Sequence, residues 1–166
     1  MAEGVPTEDT TVHSNNAPPP IIVNAQYIKD LSFEAPKAPI IFTAMQKEEP
    51  DVNINVSVNF SELKDEIMVD NQIFEVVLGV EATCTVGAET AFLLELQYAG
   101  LFTINVDEQD RGPALLIECP RLLFPFARNI LADISRDGGF PPLMLGPLDF
   151  AGMYRQKASG EDDTTS

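Results

Sequence analysis

The chain has 166 residues, enough for one domain with a core of its own. Its 26 acidic side chains outnumber 10 basic ones, for a net charge of −16, which sets it against nucleic acid and anionic membrane and leaves basic partners or plain solubility as the use of that charge. No stretch approaches the ~18 apolar residues of a membrane span, the first residues have no apolar signal core, and the two isolated cysteines, Cys84 and Cys119, suit a reducing compartment better than a disulfide scaffold.

Residues 1–20 lack an apolar period and end in Pro18-Pro19-Pro20, so a disordered acidic tail is expected there, followed by a single domain over 21–157 and a second polar tail over 158–166. From Ile21 the chain alternates: Ile21, Val23, Ala25, Tyr27, Leu31 and Phe33 share one parity, broken by Lys29, and Asn24, Gln26, Asp30, Ser32 and Glu34 share the other. That is a strand with one dry and one wet face, ended by Pro36 and Pro39. Val52, Ile54, Val56, Val58 and Phe60 mark a second strand, and SELKDEIMVDNQ a polar connection with Asp70-Asn71 as turn residues. Phe74, Val76, Leu78, Val80, Ala82, Cys84 and Val86 form the dry face of a third strand over about 73–86. A tight turn at Gly87-Ala88 leads to a fourth from near Thr90, with Phe92, Leu94, Leu96, Tyr98, Phe102, Ile104 and Val106 in phase and Leu93, Glu95, Gln97 and Thr103 opposite. Connections too short for a crossover helix predict an antiparallel meander.

The cover for the dry face comes next. Cys119, Leu123, Ala127, Ile130 and Ile134 recur at helical spacing, with Leu116, Phe126 and Leu131 widening the stripe. Pro120 suits a helical first turn, Pro125 predicts a kink, and Gly138 is the expected C-terminal stop. A second helix over Leu148–Lys157 places Phe150, Met153 and Tyr154 on one side. Strands followed by helices make the fold α+β. One helix of ~10 Å width under-covers four strands at ~4.8 Å spacing, so oligomerisation is expected.

The segment between the helices, from Gly138 to Leu148, is too apolar for an ordinary loop, carrying Phe140, Leu143, Met144, Leu145 and Leu148 among prolines. Three readings are open: a loop packed on its own sheet, one wall of a groove for apolar protein segments, or part of a pocket for a small apolar ligand. Catalysis finds no support. No phosphate loop, dinucleotide fingerprint, nucleophile elbow or zinc motif occurs, the sole histidine, His13, lies in the polar tail, and the strand carboxylates sit on a wet face. No metal or cofactor is expected.

Four segments carry a resemblance: YIKDLSFEAPKAP (27–39), FEVVLGVEATCTV (74–86), ETAFLLELQYAGLFTI (89–104) and CPRLLFPFARNILADISRDGGFPPLMLGPLDF (119–150). Together they make the chain similar to SecB, the bacterial protein-export chaperone family. The resemblance implies a cytoplasmic homotetramer, a dimer of dimers without cofactor. Each subunit would have a four-stranded antiparallel sheet and two helices joined by a crossover loop, bind non-native preproteins, and deliver them to the SecA motor. It further implies that Asp30, Glu34, Leu93 and Glu95, on the wet face by parity, dock SecA. Phe140, Leu143, Met144, Leu145, Leu148, Phe150, Met153 and Tyr154, with Phe33 from the sheet, would supply the preprotein groove. The short tail after Lys157 departs from the family pattern and puts a second, C-terminal SecA contact in doubt.

Overall fold

Alternation of apolar and polar side chains over long runs builds the sheet. The computed structural model describes residues 17–64 and 72–161; the N-terminal tail up to residue 16, the Asp70-Asn71 turn and residues 162–166 lie outside them. Strands β1 (Ile21–Glu34), β2 (Asp51–Glu62), β3 (Ile73–Val86) and β4 (Glu89–Ile104) form one antiparallel sheet. Helix α1 (Ile40–Ala44) follows β1. After β4 come α2 (Glu108–Pro113), a π-helical turn (Ala114–Glu118), α3 (Cys119–Asp137) and α4 (Phe150–Glu161). The fold is α+β.

Only β2, β3 and β4 follow the expected meander. The spatial order is β1-β4-β3-β2, so β1 passes over β2 and β3 to pair with the last strand. Both sheet edges therefore belong to the first two strands, and β3 and β4, between them, hold most of the core. Phe74, Val76, Leu78 and Val80 on β3 and Leu94, Leu96 and Phe102 on β4 are buried against Leu115, Leu123, Ala127 and Leu131 of the helical layer.

The strict parity expected of β1 does not hold. Bulges fall between Val23 and Ala25 and between Ile28 and Asp30. Each inserts one unpaired residue and swaps the faces. Between them Gln26 and Ile28 stand opposite Gly100 and Tyr98, on the dry side, and Tyr27 turns to the wet side, where its hydroxyl donates to Glu75. Lys29, the residue that broke the sequence pattern, sits at the second bulge and bonds Glu75 at 2.6 Å.

The π-helical turn has a cause in the sequence. Pro120 has no N–H to give, so the regular ladder cannot run through it, and the Cys119 N–H reaches back to the Ala114 carbonyl, five residues earlier. Pro125 stands inside α3 without ending it. The helix stop lies one residue later than expected. Gly139, not Gly138, takes the left-handed conformation at φ 93°. Phe140 N–H bonds the Ser135 carbonyl at 3.0 Å and Gly139 N–H the Arg136 carbonyl at 3.0 Å, a Schellman closure. Helix α4 starts at Phe150 and continues past the expected end at Lys157.

Candidate functional site

The loop between α3 and α4 is tied down at its start and open further on. Phe140 is not at the surface: only 4 % exposed, it packs among Phe33, Phe42 and Phe92, with ring centroids 6.1, 5.2 and 4.9 Å away. Phe33 in turn stacks on Phe92 at 5.5 Å. The two glycines before Phe140 make this possible, since a Cβ on Gly138 would lie 2.4 Å from Phe33 Cζ and one on Gly139 3.1 Å from Phe42 Cζ. Phe42 arrives on α1, an element that strand and turn patterning passes over; the apolar Ile40-Ile41-Phe42 run after Pro39 was its signal.

On this aromatic base lies a hollow of about 190 Å³ lined by Met45, Pro50, Val52, Cys84, Phe92, Phe140, Pro141, Pro142, Leu143 and Met144. Met144 is 67 % exposed at its mouth. A second hollow, of about 250 Å³, is lined by Val56, Val58, Leu116, Met153 and Tyr154, with Ser57, Asn59 and Lys157 supplying polar groups. The dry parity of β2 is common to both, Val52 in one and Val56 and Val58 in the other. An apolar track thus follows an edge strand. Such a surface can take extended chain with large apolar side chains, and its methionines adapt to varied shapes.

Of the groove residues expected from sequence, Phe140, Leu143 and Met144 meet at the first hollow and Met153 and Tyr154 at the second. Leu145 and Leu148 are half-buried on the core, as is Phe33. Phe150 lines neither hollow: it is 2 % exposed and packs edge-on against Phe124 at 6.0 Å. Sequence patterning missed Val52, Val56, Val58, Cys84 and Phe92 because strand parity marks them only as dry-face residues, Leu116 because it reads as part of the helical stripe, and Met45 and Pro50 because they fall in the polar connection before β2.

The other face of the sheet is acidic. Cross-strand pairing sets Glu34 beside Leu93 and Thr83, Ser32 beside Glu95 and Glu81, and Asp30 beside Gln97 and Gly79. Asp30, Glu34, Leu93 and Glu95 are all exposed and fall within two strands of each other. Leu93, 38 % exposed, is an apolar side chain set among these carboxylates. Sequence reasoning missed Glu81, directly opposite Glu95, since it reads as one more solvated strand acid.

Neither thiol fits a reactive site. Cys84 and Cys119 are buried and free. Burial, then Glu118, pushes Cys119 up to about 12; burial, then Asp51, raises Cys84. Among the described residues no cluster of His, Cys, Asp or Glu could hold a metal ion, and no helix is long and apolar enough to cross a membrane.

The family model described as preprotein translocase subunit SecB matches residues 14–161. The chain belongs to the SecB family. The protein-export protein SecB of Paramagnetospirillum magneticum is 52% identical over 141 residues, covering 85% of this chain and 87% of the relative. That of Granulibacter bethesdensis is 42% identical over 172 residues, covering 99% and 98%. Among solved structures, the SecB-like chaperone of Mycobacterium tuberculosis, in complex with a peptide from the HigA1 antitoxin, superposes with a TM-score of 0.61 at 14% identity, over 78% of this chain and 91% of that one. At that identity the likeness is one of fold. The chain therefore belongs to a family of protein-export proteins and not of enzymes.

Proposed function

We propose that this SecB-family chaperone works in the cytoplasm, binding non-native preproteins along the apolar track and handing them to the SecA motor through the acidic sheet face. The observation that carries the reading is the pair of hollows on one edge strand, lined by Leu143 and Met144 at one and Met153 and Tyr154 at the other. Each large apolar client side chain buried there contributes ~1.5–3 kcal/mol before ordering costs. Several shallow contacts can hold an unfolded chain, and a client that folds removes those side chains from reach. The acidic face suits a basic docking surface, with Leu93 as an apolar anchor among Asp30, Glu34 and Glu95. Assembly as a homotetramer, a dimer of dimers, would cover apolar surface that one subunit leaves open.

A carrier of one small apolar molecule is the weaker reading, because both hollows open to solvent along one side rather than enclosing a ligand. A chaperone dedicated to a single partner would use the same track. The test is a refolding assay with an export precursor. Leu143→Ser combined with Met144→Ser should weaken precursor binding by about tenfold or more and shorten the delay in refolding. A double variant that delays refolding as well as wild type would place the groove elsewhere. Copurification of one small molecule in place of unfolded precursors would favour the carrier.

A further inference from the structure

Ser135 is the only buried polar side chain among the described residues, at 0 % exposed on a helix whose other buried positions are almost all apolar. Core packing gives no reason for a hydroxyl there, and alanine would serve the helix better. Its hydrogen bonds supply the reason. The hydroxyl donates to the Leu131 carbonyl at 2.8 Å, with the Ala132 carbonyl 3.1 Å away, and accepts the Leu143 N–H at 2.8 Å. The Ser135 carbonyl takes the Phe140 N–H at 3.0 Å. Between those two amides stand Pro141 and Pro142, which have no N–H. The whole segment from Phe140 to Leu143 is thus fastened at both ends to one residue of α3, and the second fastening depends on the side chain alone.

We propose that the Ser135 hydroxyl is a positioning group that pins the crossover loop to α3 and so holds Leu143 and Met144 at the mouth of the first hollow. The inference rests on the reading of that hollow as the client groove. Ser135→Ala removes the acceptor but keeps the backbone closure at Phe140, so the helix stop survives and only the loop beyond the prolines is released. Ser135→Cys, similar in size with a weaker acceptor, gives an independent comparison, and Ser135→Thr restores the hydroxyl.

The test combines amide hydrogen exchange on the full chain with dissociation of an unfolded export precursor. In Ser135→Ala, exchange at the Leu143 amide should quicken about tenfold or more, with amides in the middle of α3 unchanged, and precursor release should quicken severalfold. Ser135→Cys should lie between, and Ser135→Thr should return both toward wild type. Unchanged exchange at Leu143, or freed exchange with unchanged precursor release, overturns the proposal. So does faster exchange spread evenly over α3, which marks general destabilisation. Wild-type chain that binds no unfolded precursor removes the groove reading instead, and Leu143 exchange still decides whether the hydroxyl holds the loop.

Discussion

At the residue scale, the wet face holds a partly exposed cluster that ties β1 to β3 across β4. Glu75 accepts from Lys29 at 2.6 Å and from the Tyr27 hydroxyl. The Lys29 bond, then the Tyr27 bond, lowers Glu75 below its ordinary 4.5. Burial, then Glu75, raises Tyr27 from 10.0 to about 12. The two act at opposite ends of the pH scale. The stabilisation from Glu75 is in place above the ordinary carboxylate value and is lost as pH falls through the lower folded value. That from Tyr27 is in place below pH 10 and is lost as pH rises toward 12. Glu75→Gln should therefore flatten part of the acid limb of a stability–pH curve. It should also bring the Tyr27 phenolate titration, read by absorbance, to lower pH, though still above the ordinary value, because burial is the larger cause. A titration unchanged by the substitution would show that the contact is not maintained in solution. Gly100 is a second case where one residue decides. Its Cβ position lies 2.6 Å from Phe102 Cε2 and 3.1 Å from Leu123 Cδ2, with Phe102 and Leu123 both 0 % exposed. Gly100→Ala should cost roughly 1–3 kcal/mol of overpacking, seen as a lower denaturant midpoint at constant slope. The contacts make this glycine a point of close approach between the β4 backbone and core side chains.

At the scale of elements, the sheet separates two tasks by parity. Dry residues of β2 reach the hollows, and wet residues of β1, β3 and β4 make the acidic face, so either can be changed without the other. Glu95→Lys tests this separation. The new ammonium would stand directly opposite Glu81, an unlike pair where the wild type has a like one, so the sheet should tolerate it. SecA affinity should fall about tenfold or more at moderate salt, where exposed charges are screened beyond ~8 Å, with precursor binding and hydrodynamic size unchanged. Calorimetric titration showing wild-type SecA affinity would count against this face as the docking surface. The period-2 pattern of β2, β3 and β4 was legible because each residue's face follows from its own strand. The swaps in β1 were not, since a bulge is a matter of pairing with β4, and only Lys29 out of phase hinted at it.

At the scale of the molecule, a single subunit leaves apolar surface beside α3. Phe126 is 52 % exposed and stacks on Tyr98 at 6.2 Å. Leu122, one turn earlier, is 43 % exposed, and Ile28, opposite Tyr98, is 48 % exposed. The helical stripe read from sequence counted Phe126 as core; within one subunit it is a surface. This is the surface that the proposed tetramer would cover, and it adjoins β1, an open sheet edge. Phe126→Glu should lower the oligomeric state, with sedimentation equilibrium as the measure and circular dichroism confirming an intact fold. A wild-type chain that sediments as a monomer at micromolar concentration would sink the tetramer.

Local chemistry, repeated along the chain, settled the strands, the apolar helix, the wet-face position of Leu93 and Glu95, and the oddity of the loop after Gly138, because side-chain period and proline geometry act over a few residues at a time; Asp30 and Glu34 keep their expected face because the two bulges of β1 cancel. Contact between distant segments settled the rest. That β1 lies beside β4, that Phe140 and Phe150 are buried while Met144 is not, and that a serine in α3 holds Leu143 are outcomes of packing across the sheet, where the hydrophobic effect fixes how much apolar surface is covered but only the assembled neighbours fix which.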